Sequence, residues 1–148
     1  MADNYLQFSF AVQLNNEDER EWLETILCGE NADGEVPEEF HEAFPDFSEW
    51  GSLDFDWEID GENQLWIHTD DGMGNPSMVA DLLQYYLKKF DPKAHVSFEF
   101  AETCSKPKLD EFGGGAVVIS MDEMWWMSTG QWAAEKIDEI QKGFGGTK

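Results

Sequence analysis

The chain has 148 residues, a formal net charge of −23, and an apolar share of 41% that includes seven Trp and eleven Phe. That is enough core material for one domain of common size and too much for a disordered acidic tail. The acid is concentrated: residues 15–62 hold 18 Asp or Glu against the single cation Arg20, a field that repels nucleic acid and anionic membranes and attracts cations or basic protein surfaces.

Residues 6–14 alternate, with Leu6, Phe8, Phe10, Val12 and Leu14 on one side, which is the period of a half-buried strand. A helix follows at once. Asn16-Glu17-Asp18-Glu19 has the form of a capping box, Trp22, Leu23, Ile26 and Leu27 make one apolar stripe, and Gly29 stops it. Its other face carries Glu17, Asp18, Glu21 and Glu24. Residues 29–51 are rich in Gly, Pro and Glu with spaced aromatics, and read as a long packed loop with one helical turn at 38–43.

Residues 53–60 alternate without a fault, Gly61-Glu62-Asn63 turns the chain, and 64–69 returns as the second hairpin strand. Asn75 as N-cap with Pro76 at the first helical position opens a helix whose stripe is Val79, Leu82, Leu83, Tyr86, Leu87 and Phe90. Residues 95–102 alternate again, with Val96, Phe98 and Phe100 inward, and 116–121 read as a buried strand. Residues 122–127 fit either an edge strand or a helical turn. Ser128 or Thr129 then caps a last helix that places Trp132, Ile137 and Ile140 on its inner side, and the tail loosens from residue 143.

The order β-α-β-β-α-β-β-α opens with the six elements of a split βαβ unit. It predicts one α+β domain with a ferredoxin-like antiparallel sheet and helices packed on one face. The start, Met1-Ala2-Asp3-Asn4-Tyr5-Leu6, has no basic region, and no stretch approaches the roughly 18 apolar residues of a membrane span. Cys28 and Cys104 fit no metal or disulfide spacing and read as reduced thiols. Together these features lead us to expect a cytoplasmic protein without a cofactor.

The stretch Thr103-Cys104-Ser105-Lys106-Pro107-Lys108-Leu109-Asp110-Glu111-Phe112-Gly113-Gly114-Gly115-Ala116-Val117-Val118, with Met127-Ser128-Thr129-Gly130-Gln131-Trp132 after it, resembles a family of short uncharacterised proteins from bacteria, phages and plasmids. In architecture the chain is distantly similar to the Api92-like proteins with their ferredoxin-like domain. The resemblance covers about the last third of the chain. It implies a fold and a mobile-element or bacterial setting, and brings no functional residues with it.

Asp54, Asp56, Glu58 and Asp60 all point outward from their strand, about 6.6 Å apart. One reading is a solvated face that blocks edge pairing. The other is a rigid row of carboxylates that imitates the charge of a nucleic-acid backbone and occupies the basic cleft of a DNA-binding protein. Divalent cation binding is a third use for such oxygens. Asn31-Ala32-Asp33-Gly34-Glu35 fails as a calcium loop, because aligning Gly34 with the loop glycine puts Gly29 and Phe40 where acidic ligands belong.

His41, His68 and His95 are scattered, and neither cysteine has a histidine nearby in sequence to activate it. Gly113-Gly114-Gly115 precedes a strand where a phosphate cradle precedes a helix, so a bulge or a close backbone approach explains it better. Lys88, Lys89, Lys93, Lys106 and Lys108, five of the nine cations, fall within 21 positions; a helix C-terminus accounts for Lys88 and Lys89, and the other three would make a small basic edge. Of Trp125 and Trp126 at least one should face outward as an interaction anchor, with core packing expected for the other.

The expectation is therefore a non-enzymatic interaction domain, in its sharpest form a mobile-element inhibitor or DNA mimic that binds a basic nucleic-acid-binding protein. Its contact residues would be Asp54, Asp56, Glu58 and Asp60, with Glu17, Asp18, Glu21 and Glu24 alongside, and Trp125 and Trp126 would serve a partner or a homo-oligomer. The alternative is a divalent-cation-binding domain or metal-dependent enzyme using the same carboxylates.

Overall fold

The structure, a computed structural model, describes residues 4–29, 34–45, 53–69, 74–104 and 112–145. Within them the chain runs β1 (Asn4–Gln7), β2 (Ser9–Gln13), α1 (Glu17–Cys28), α2 (Glu38–Ala43), β3 (Asp56–Ile59), β4 (Gln64–His68), α3 (Pro76–Phe90), β5 (Val96–Cys104), β6 (Gly113–Ile119), β7 (Met124–Ser128) and α4 (Thr129–Gly145). The fold is α+β with two antiparallel sheets, ordered β1-β5-β6-β7 and β2-β4-β3.

The helix signals act where the sequence placed them. Asn16 Oδ1 accepts from the Glu19 N–H at 3.0 Å, Glu19 Oε1 accepts from the Asn15 N–H at 3.2 Å, and Gly29 closes α1 in the left-handed region at φ 75°. Asn75 Oδ1 caps α3 through the Met78 N–H at 3.2 Å, with Pro76 in the first turn. Ser128 Oγ accepts from the Gln131 N–H at 3.2 Å at the start of α4.

Two features depart from the expected single ferredoxin-like sheet. The first strand is not one element. Residues 4–7 pair with β5 while 9–13 pair with β4, and the switch falls at Phe8. There the Phe8 carbonyl accepts from the Thr69 N–H at 3.1 Å and its ring is buried, 5.7 Å from Phe98. A bulky ring wedged at the junction lets the chain serve two sheets.

The second departure is α4. Helices α1, α2 and α3 bury Leu23, Ile26, Leu27, Phe40, Val79, Leu82, Leu83 and Leu87 in one cluster with Leu65 and Ile67. Each such side chain is worth about 1.5–3 kcal/mol when fully buried. Helix α4 adds nothing to that cluster: Trp132, Ile137 and Ile140, expected on an inner side, are each more than half exposed. It also runs to Gly145, so the tail expected from 143 overlaps its last turn.

Residues 122–127 resolve as the approach to and most of β7, the outermost strand of its sheet. Trp125 is 53% and Trp126 44% exposed, so neither is a core residue. An edge position leaves even the inward-facing Trp126 with one neighbouring strand, and Phe100 is the aromatic beside it, at 6.2 Å. Close backbone approach does explain the glycines. A Cβ at Gly114 would lie 2.8 Å from the Phe100 carbonyl oxygen, and one at Gly115 would strike the Met127 carbonyl and the Phe100 ring.

Candidate functional site

Cross-strand register sorts the residues of the three-stranded sheet onto two faces. Phe10, Ile67 and Trp57 form one row toward the core and Val12, Leu65 and Ile59 another. The opposite face carries the rows Ser9, His68, Asp56 and Ala11, Trp66, Glu58. That face therefore sets carboxylates beside an aromatic ring. Trp66 is 41% exposed, its indole N–H donates to Ser9 Oγ at 2.8 Å, and its ring stacks on the buried His68 at 3.7 Å between centroids. The indole is held from two sides with its remaining surface in solvent, directly across from Glu58.

The four carboxylates of 53–60 do not behave alike. Asp54, Asp56, Glu58 and Asp60 are all exposed, as the alternation required. Only Asp56 and Glu58 sit within β3, and Asp54 lies in the bend before it. Asp60 is committed to the turn: its Oδ1 accepts from the Glu62 N–H at 2.8 Å and the Gln64 N–H at 3.0 Å, while Asn63 takes φ 59° to complete the reversal. The row expected to act as four charges becomes two on a rigid strand, one at its entrance and one inside a hairpin.

Helix α1 presents Glu17, Asp18 and Glu21 to solvent. Glu24 is paired instead with Arg20 at 2.8 Å. The Arg20 guanidinium also donates to the Asp60 carbonyl at 2.6 Å, Asn63 Oδ1 at 2.9 Å and the Ile59 carbonyl at 3.4 Å. The one cation of the acidic block thus fastens α1 to the β3–β4 hairpin. It joins the two acidic sets at that point, while Asp56 and Glu58 stand on the sheet face turned away from the core.

A second charged group lies at the junction of α1, α2 and α3. The Tyr85 hydroxyl donates to Glu39 at 2.7 Å and Glu42 at 2.8 Å, Lys89 pairs with Glu39 at 3.1 Å, and Trp22 stacks on Tyr85 at 5.7 Å. Burial alone would push the Glu39 carboxyl up; hydrogen bonds from Tyr85 and Lys89 and the Lys89 charge outweigh it and hold the group below its ordinary value. Burial and the Glu39 and Glu42 acceptors push the Tyr85 hydroxyl well above its ordinary value. Lys89, in the last turn of α3 as its helix C-terminal reading expected, is spent here, and of the expected basic edge Lys106 and Lys108 lie outside the described residues.

Glu19 is the other carboxylate that the acidic-face reading passes over. It is 2% exposed and accepts a short hydrogen bond from the buried Tyr86 hydroxyl. Burial, the Glu19 acceptor and the nearby Glu19 and Asp91 charges push the Tyr86 hydroxyl far up.

The three histidines are dispersed. His41 and His95 are exposed. Cys28, with no histidine near it in sequence, shares a cavity of about 510 Å³ with His68 and Asp56 through the fold. Both cysteines are free thiols. Among the described residues no group of three or more His, Cys, Asp or Glu is placed to hold a metal ion, and no helix is long and apolar enough to cross a membrane. Of the rejected calcium-loop stretch, residues 31–33 lie outside the described residues.

Trp66, Arg20 and Glu19 are the residues that sequence reasoning missed. Counting back from the turn at 61–63 pairs Trp66 with Glu58 and would have found the first. No family model, curated protein or solved structure matches the chain.

Proposed function

We propose that the chain is a non-enzymatic protein-interaction domain that receives a basic partner on the outer face of β3 and β4. Asp56, Glu58 and Trp66 form the recognition surface, and Asp54 extends it. The observation that carries this reading is the half-exposed Trp66 ring, immobilised by Ser9 and His68 and set across the strand from Glu58. A guanidinium or ammonium group laid on an indole face gains about 0.5–1 kcal/mol at an exposed site, and adjoining carboxylates add charge and direction. The chemistry suits Arg-rich or Lys-rich surfaces, including those of nucleic-acid-binding proteins, and the mimic of a mobile element is its most specific form.

The strand order supports kinship with the split βαβ unit. Read through Phe8, the strands run β3-β4-β2/β1-β5, with β6, β7 and α4 added beyond. In such a frame β3 is an edge among the described strands of its sheet.

Calorimetric titration with an Arg-rich peptide tests the reading. D56N/E58Q and E17Q/D18N remove the same charge from different surfaces, so the first should weaken binding roughly tenfold, about 1.4 kcal/mol, and the second much less. Trp66→Ala should weaken it without changing net charge. Equal losses from the two charge variants, with none from Trp66→Ala, would mean that the peptide senses only the overall field.

A further inference from the structure

Helix α4 is a 17-residue element whose described side chains from Gln131 to Gly143 are all exposed. Helices of this length that contain Gly130 and Gly143 are marginal in water unless one face is covered. An apolar face is present: Trp132, Ile137 and Ile140 are 54%, 54% and 57% exposed, and the strand leading into the helix adds Trp125, Trp126 and Met127 at 53%, 44% and 47%. Strand β7, Met124-Trp125-Trp126-Met127-Ser128, has no charge, and among the described strands none pairs with its outer edge. Edge strands without charge or proline are templates for strand addition.

We propose that the chain forms a two-fold symmetric dimer through the surface made by β7 and α4, a second copy covering the first. Three observations select a second copy. With full side-chain areas near 150–250 Å² for the aromatics, these six residues expose on the order of 600–700 Å², with Trp125 and Met127 on one face of β7 and Trp126 on the other. A copy that pairs with the β7 edge meets both faces, and the sum approaches the roughly 800 Å² per partner of a stable interface.

Four of the five charges of α4 pair within it, Lys136 with Glu139 at 3.1 Å and Lys142 with Asp138 at 2.9 Å, and Glu135 accepts from Gln131 at 3.3 Å, so the stripe asks for little charged complement. Finally, two chains of net charge −23 repel, and β7 with α4 is a nearly neutral surface away from the acidic block on which they can meet. An edge strand related to its copy by a two-fold axis perpendicular to it is antiparallel to that copy, which makes the contact self-complementary.

The test is sedimentation of the full chain across the micromolar range at low and high salt. The expected result is twice the 17.0 kDa chain mass, with association tightening as salt rises because the acidic copies are screened. Binding of a basic partner would weaken under the same change. The double variant I137D/I140D should dissociate on the order of 100-fold more readily. Amide exchange on the native chain gives a readout independent of any variant: residues 124–142 should gain protection as the concentration rises. A chain that sediments at its single mass throughout, a variant that dimerises as well as the native chain, or exchange at 124–142 that ignores concentration would each overturn the proposal.

Discussion

Replacing Arg20 by Met should loosen the β3–β4 hairpin from α1 while keeping the aliphatic stem in place. Three of the four guanidinium bonds go to the hairpin, to Asp60, Asn63 and Ile59, and one goes to Glu24. Hydrogen bonds from a charged donor contribute about 1.5–3 kcal/mol each when buried. The Arg20 side chain is 24% exposed, and the Ile59 contact is long. The expected net loss is therefore about 2–3 kcal/mol, less than the full value of three such bonds. At about 2–4 °C per kcal/mol for a chain of this size, Tm should fall by roughly 5–10 °C.

Arg20→Lys should recover little, because one ammonium cannot reproduce a fork that spans two carbonyls and an amide. Glu24→Gln should cost less than about 0.5 kcal/mol, since the Arg20–Glu24 pair is a partly exposed i,i+4 contact and Gln can still accept from the guanidinium. Urea unfolding of the three variants, followed by far-UV circular dichroism, measures all of these. The reasoning fails if Arg20→Met costs under about 0.5 kcal/mol, or if Glu24→Gln costs as much as Arg20→Met.

Other expectations follow from the buried hydroxyls and the glycines. The Tyr86 pKa is raised in the folded chain, so above the ordinary tyrosine pKa near 10 the unfolded state loses a proton that the folded state keeps, and stability falls by about 1.4 kcal/mol per pH unit from this group. Urea midpoints measured at about pH 9 and about pH 11.5 should show the decline, and Tyr86→Phe should reduce it, with Tyr85 supplying the remainder. On the acid side the lowered Glu39 pKa contributes stability that is present above the ordinary carboxylate range and is lost as pH falls through it, a loss Lys89→Met should reduce.

At neutral pH Tyr86→Phe should cost about 1.5–3 kcal/mol by leaving a buried carboxylate short of a donor. A double-mutant cycle with Glu19→Gln should return a coupling above about 1 kcal/mol. Gly115→Ala should destabilise, since the new methyl would meet the Met127 carbonyl and the Phe100 ring. Gly130→Ala, with open space around it, should be neutral or stabilise by up to about 1 kcal/mol. Thermal melts distinguish the two, and equal effects would contradict the packing described for β6.

Local chemistry was the most legible level. Asn16, Gly29, Asn75, Pro76 and Ser128 act within a few residues of themselves, so the ends they mark follow from sequence. Alternation was equally reliable for faces: it put Phe8, Val12 and Phe98 inside and Asp54, Asp56 and Glu58 outside. It could not reveal the break at Phe8, because a strand that exchanges β5 for β4 as its partner keeps the same two-residue period. Nor could a helical period say what covers a stripe, which is why Trp132, Ile137 and Ile140 read as core and emerged exposed. The acidic block was conspicuous as composition, but its division into working parts depends on register and long-range bonds. Asp60 is spent in a turn, Glu19 is buried under Tyr86, Glu24 is tied to Arg20, and Glu58 stands across from Trp66.

The surface of Asp56, Glu58 and Trp66 is tested most directly by NMR titration of the native chain with an Arg-rich peptide, following the indole N–H signals of the seven tryptophans together with the backbone amides. The account expects the Trp66 indole and the amides of β3 and β4 to shift first and furthest, saturating together and reverting as salt is added. Shifts that gather on α1 or on β7 and α4, or that spread evenly over the acidic residues while Trp66 stays unmoved, would contradict it.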